Sequence, residues 1–227
     1  MSKELYLVVE GQTEQFFAER VLAPYFAVRN IFVRAMMIPK KGSKGGDVKF
    51  ERVKSCVSNL LKQRRDTIVA TFVDYYGLNS WPELEAVRRL SGASPAQISY
   101  TLIQAAVDAI KNELPECNVS KRFVPFIAVH EFEALLFSEP NELAEALNID
   151  SKVIVNLMQN FDSPEQINNG PQTAPSKRIE NWSQKRFGKT TTGVALAERI
   201  GIDKMRTCCH NFDAWIKKIE AIVSDIP

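Results

Sequence analysis

The chain has 227 residues, of which 45% are hydrophobic and 25% charged, enough for one large domain or a domain with a substantial extension. A net charge of +2 sets up no global field for a polyanion, so any basic surface must be local. No apolar run approaches the roughly 18 residues of a membrane span, the start Met1-Ser2-Lys3-Glu4 leads directly into an apolar run rather than a secretory signal, and the four cysteines fit neither a zinc site nor a disulfide framework, which points to a reduced cytoplasmic setting.

The first element is the most informative. Leu5 to Val9 is short, continuous and rich in β-branched residues, the pattern of a buried strand. It ends in Glu10 and Gly11. Thr13 is placed to cap a helix running from about Gln15 to Phe26, with Glu14 in its first turn. Glu10 therefore stands at the carboxyl end of a strand, where open α/β sheets place their ligands. Two carboxylates brought together there repel unless a cation lies between them, and Mg²⁺ or Mn²⁺ is the usual one. A helix-cap role is the competing reading for Glu14.

A second strand is predicted over 31–38, followed by Pro39 to Asp47, a loop in which Lys40, Lys41 and Lys44 are candidates to contact nucleic acid; a solvated loop is the alternative. Phe50, Val53, Val57, Leu60 and Leu61 recur at helical spacing over 50–63. The third strand, 67–74, ends in Asp74, which a parallel sheet brings to the same rim as Glu10. A helix over 100–114 leads to a fourth strand at 123–129. The order βαβαβαβ implies a mostly parallel four-stranded sheet with crossover helices.

After Val129 no further strand is expected. Helices are predicted at 131–137, 141–147, 151–160, 192–200 and 212–223, with 163–177 a loop rich in Pro, Asn and Gln. Residues 1–137 are thus read as the α/β core and 138–227 as a helical appendix packed on it. On the 131–137 helix, Glu131 and Glu133 flank the apolar face on opposite sides, which keeps them from binding one ion together. Gly188-Lys189-Thr190 imitates the end of a phosphate-binding loop, but no strand precedes it, and it is set aside.

The string Val9-Glu10-Gly11-Gln12-Thr13-Glu14 resembles the first motif of Toprim domains, in the form carried by OLD-type nucleases and their stand-alone relatives. The segments 72–78, 130–137, 174–179 and 210–215 resemble the DUF4276 (RloG-like) family, so the likeness runs nearly end to end. It implies a Toprim-like core, a Mg²⁺- or Mn²⁺-dependent nuclease site, action on DNA or RNA in bacterial defence or restriction, and an ABC- or AAA-type ATPase partner in trans. In that frame Glu10, Glu14 and Asp74 hold metal, with Glu10 and Asp74 also catalytic. Lys177 or Arg178 neutralises charge on the phosphate, by analogy with a lysine that OLD-type enzymes bring from beyond the core. The usual Asp-x-Asp pair is broken, because Tyr76 stands where the second aspartate belongs. His130, Glu131 and Glu133, which follow the fourth strand, are the groups available to substitute. The same gap supports the alternative of a catalytically degenerate binding or regulatory subunit in an ATPase-containing complex. A topoisomerase or primase fragment is a weaker third reading, since neither a tyrosine-nucleophile domain nor a primase zinc module is evident.

Overall fold

A computed structural model describes residues 3–39, 48–167, 170, 172–183 and 187–225. Six strands form: β1 (Lys3–Val9), β2 (Ile31–Met37), β3 (Val48–Lys49), β4 (Ile68–Asp74), β5 (Leu78–Asn79) and β6 (Phe123–Ala128). Four make one sheet in the order β2-β1-β4-β6, parallel throughout, and β3 pairs with β5 in a separate two-residue ribbon. The chain starts in the middle of the sheet, steps outward to β2, then crosses back over β1 to β4. The strand order therefore reverses between β1 and β4, and the crevice outside their carboxyl ends is the switch point where such sheets bind ligands.

Alternating side chains divide the sheet between two apolar layers. Leu5, Leu7 and Val9 face one side, where they meet Phe17 and Phe26 of the helical stretch 12–27 together with Phe212, Trp215 and Met205 from near the carboxyl end. Val8, Val69 and Val73 face the other, against Val53, Val57 and Leu61 of the helix Phe50–Gln63 and Leu102 and Ile110 of the helix Pro95–Glu113. Residues beyond 137 thus supply much of one layer. Trp215 stacks on Phe126 with centroids 5.1 Å apart, and its indole Nε1 donates to the Val124 carbonyl at 3.0 Å. No helix among the described residues is long and apolar enough to cross a membrane.

The strands lie where the apolar runs place them, to within two residues. The helices depart more. The first begins at Gln12 with Gly11 as its N-cap, not after a Thr13 cap, and contains a π turn over Ala18–Leu22. The segment after β6 is a 3-10 helix, Phe132–Ser138, with all seven residues buried, rather than an amphipathic α-helix. Phe132, Leu135, Leu136 and Phe137 pack into the layer of Phe17 and Phe212, and with every residue buried no polar face is required. The expected 163–177 loop ends in a helix that starts at Pro175 and runs to Trp182. No sequence pattern marks the helices Leu84–Arg89 and Ile202–Cys208.

A candidate acidic site at the sheet switch point

Register places Val9 opposite Phe72 and Asp74 opposite Ala128, so Glu10, Asp74 and the segment after β6 share one rim. Glu14 folds back from the first helical turn. Its Oε2 accepts from the Gly11 amide at 3.0 Å, the glutamate half of a capping box, and the residue is 8% exposed. The helix-cap role and the rim position are therefore held by one carboxylate. Glu10 lies under the turn that follows β4: a Cβ added to Gly77 would sit 2.5 Å from Glu10 Oε2. Only glycine permits this approach. Asp74 keeps a partly accessible surface, but its Oδ1 is buried and has no hydrogen-bond partner among the described residues.

Glu131 and Glu133 reach the rim by different routes. Glu131 has φ 65° and ψ 160°, a region that L-residues occupy only under constraint, at a cost of about 1–3 kcal/mol. The constraint is the start of the helix Pro175–Trp182: the Ser176 amide and hydroxyl both donate to the Glu131 carboxylate at 3.0 Å. Glu133 is 2% exposed and pairs with Lys189 Nζ at 2.6 Å.

The electrostatics follow from this crowding. Burial, then the charges of Glu14, Glu133, Glu10 and Glu131, push the Asp74 carboxyl well above the usual carboxylate range. Burial also raises Glu14, reinforced by Glu10 and Glu133 and opposed by its backbone bonds. Glu133 is raised by burial even though Lys189 pulls the other way. Burial acts to lower Lys189, but the charges of Glu133, Glu131 and Asp74 win and raise it. Acidic groups thus crowd around one ammonium, and the perturbed carboxyls make this rim the candidate site.

The remaining candidates fall elsewhere. Lys177 is exposed and pairs with Glu180 at 2.7 Å; it is not the cation at the carboxylates. Arg178 donates from Nε to the Thr173 carbonyl at 2.7 Å, a local structural bond. Lys40, Lys41 and Lys44 lie outside the described residues. The cation at the carboxylates is Lys189, from the set-aside Gly-Lys-Thr sequence. It opens a π turn, Lys189–Gly193, that runs into the helix Val194–Ile200. Arg20 ties that helix to the one carrying Glu14 through a two-pronged ion pair with Glu198, at 2.7 and 2.6 Å. No sequence-local signal marks Lys189, because long-range packing brings it in.

The donor chemistry suits a hard divalent ion: every candidate ligand is a carboxylate oxygen, and one of them, Asp74 Oδ1, is buried without a partner among the described residues. The spacing is not a finished coordination sphere. Among the described residues no group of three or more His, Cys, Asp or Glu could hold a metal ion as it stands.

No curated protein matches the chain. A solved structure of the C-terminal region of the Xanthomonas campestris pv. campestris OLD protein is similar at 16% identity, covering 99% of this chain and 95% of that one, with a TM-score of 0.45. Residues 9–220 match the model of a domain of unknown function, DUF4276, and the chain belongs to that family.

Proposed function

We propose that this protein is a Mg²⁺- or Mn²⁺-dependent phosphodiesterase acting on nucleic acid, with its site at the ends of β1 and β4. The observation that carries the reading is Asp74: a carboxyl raised by burial and by four acidic neighbours, at the sheet's switch point. A site this negative repels a bare anion. Its ligand is therefore a cation, or an anion bridged by one, and a phosphodiester on a divalent ion meets that condition. Glu10, Glu14 and Asp74 are the proposed ligands. When bound, the ion would neutralise charge on a phosphate oxygen and lower the pKa of a bound water.

The chain's own groups have separate tasks. Lys189 has a side chain 51% exposed, so its ammonium can turn from Glu133 toward a phosphate oxygen without further unfolding of the site. Burial raises Glu133 and Lys189 opposes that rise, so a turn of Lys189 away from it makes Glu133 a better proton acceptor. Ser176 fixes Glu131 and so sets the path of the chain out of β6. The DNA or RNA substrate, the bacterial defence role and an ATPase partner in trans follow from the motif resemblance alone.

A second reading is favoured by two observations: Tyr76 replaces the second aspartate of the usual pair, and no three-ligand group stands ready. On that reading the protein is a binding or regulatory subunit without activity. Calorimetric titration of Mg²⁺ and Mn²⁺ into wild type, Glu10→Ala and Asp74→Asn separates the two, alongside nicking of supercoiled DNA and digestion of RNA. The phosphodiesterase reading requires metal binding that both variants weaken, and cleavage that both abolish. Wild type that binds neither ion at millimolar concentration would leave only the second reading.

A further inference from the structure

The turn Tyr75–Gly77 touches the acidic site with one residue and a separate cleft with the other two. Gly77 packs on the Glu10 carboxylate, while Tyr75 and Tyr76 line a cleft of about 710 Å³. His130, immediately before Glu131, lines the same cleft, so it borders the carboxylates on two sides. The other wall is the start of the helix Pro95–Glu113, with Ala93, Pro95 and Ile98. Tyr76 is 57% exposed, unusual for a ring beside a buried site, and meets Tyr75 edge-on at 5.2 Å. No lysine or arginine is among the described lining residues.

We infer that this cleft seats an unpaired nucleobase stacked on Tyr76, so that the substrate at the acidic site is single-stranded nucleic acid. The inference rests on the phosphodiesterase reading and specifies its substrate. An exposed ring in a largely apolar slot offers a face to a flat aromatic ligand, and stacking of this kind accepts any base. Only unpaired bases present such a face; a duplex hides them and is held chiefly through phosphate contacts. The cleft supplies the aromatic wall, and no lysine or arginine stands among its described lining residues to hold a duplex backbone. A base on Tyr76 places its adjoining phosphate toward Gly77 and Glu10, along the same three-residue turn.

The test is fluorescence anisotropy with short labelled oligothymidylate, oligouridylate and a duplex of the same length, at low salt, in chelator and again with Mg²⁺. Wild type should prefer single strands. Tyr76→Ala should weaken them about 5- to 150-fold, the alanine-substitution range for base–aromatic stacking, while Tyr76→Phe and Tyr76→Trp stay near wild type. The ring is exposed, so the variants should fold; circular dichroism checks this. Equal single-strand binding by Tyr76→Ala, a preference for duplex, or equal affinity for a mononucleotide would each overturn the inference. The two oligonucleotides distinguish DNA from RNA. Failure of the underlying reading shows separately, as absence of Mg²⁺ and Mn²⁺ binding in calorimetry without nucleic acid.

Discussion

Asp74→Asn should make the protein more stable at neutral pH while abolishing its metal response. Asparagine keeps the shape and removes the charge. A carboxyl whose folded pKa lies above its unfolded value binds its proton more tightly in the fold. The stability it contributes is complete below the unfolded pKa and is lost as pH rises through the folded pKa. Asp74, Glu14 and Glu133 are all raised, so the wild type should weaken from about pH 4 upward, the unfolded carboxyl range. Removing the Asp74 charge relieves repulsion from Glu14, Glu133, Glu10 and Glu131 together. Two like charges about 4 Å apart repel by about 1 kcal/mol in bulk water and about 4 kcal/mol at a partly buried surface, so a gain of about 1–3 kcal/mol is expected at pH 7 to 8. For a chain of this size each kcal/mol moves the melting temperature by about 2–4 °C, so the variant should melt roughly 2–12 °C higher. The assay is thermal melting of both proteins across pH 4 to 8 in chelator. The gap should open with pH and close in acid. Mg²⁺ at about one hundred times its Kd should then add about 2.7 kcal/mol to wild type and much less to the variant. A variant less stable at every pH, or a gap that ignores pH, would refute the reasoning.

Gly77→Ala should separate fold from site. The added methyl meets the tip of Glu10, a flexible side chain, so stability should change by no more than about 1 kcal/mol, while Mg²⁺ affinity in calorimetry falls about tenfold; unchanged affinity would disconnect Glu10 from the metal. Lys189→Met leaves Glu133 buried without its ion partner. Breaking a fully buried pair costs about 3–5 kcal/mol, but Lys189 is half exposed, so about 1–3 kcal/mol is expected in urea melts at pH 7. Glu133→Gln in the same chain should recover most of that loss, and no recovery would mean that Lys189 stabilises through other partners.

The strands and their parallel order are legible in the sequence because buried strands are short continuous apolar runs, each ending where its charged residue begins. Glu10 and Asp74 stand at the rim for that reason. The groups that answer their charge are not legible. Lys189 arrives through helix packing against Gln12–Ala27, a contact with no local period, and its Gly-Lys-Thr setting points to a different motif. Ser176 lies in a stretch whose Pro, Asn and Gln content reads as loop, because the helix it opens is only eight residues long. α-Helical spacing puts Glu133 on the flank of an apolar face. The actual turn has three residues per turn, and it is buried all round, which carries this acid inward to Lys189.

The charge balance of the candidate site also ties the carboxyl-terminal helices to it. The acids come from the end of β1 and the helix after it, from β4 and from the segment after β6, but the groups that hold Glu131 and Glu133 are Ser176 and Lys189. These later segments are anchored to the sheet by its aromatic core. Phe126 of β6 packs on both Phe212 and Trp215, and Phe17 packs on Phe132 and Phe212. Glu165 fixes the start of the last helix by accepting from the Asn211 and Phe212 amides at 2.8 and 2.9 Å. Any displacement of the last helix therefore pulls on the strand that leads into His130 and Glu131. Without Lys189 and Ser176 the clustered acids would face one another uncompensated, so packing in this layer and charge at the rim are two parts of one equilibrium. A partner that bears on the carboxyl-terminal helices would thereby act on the acidic site without touching it.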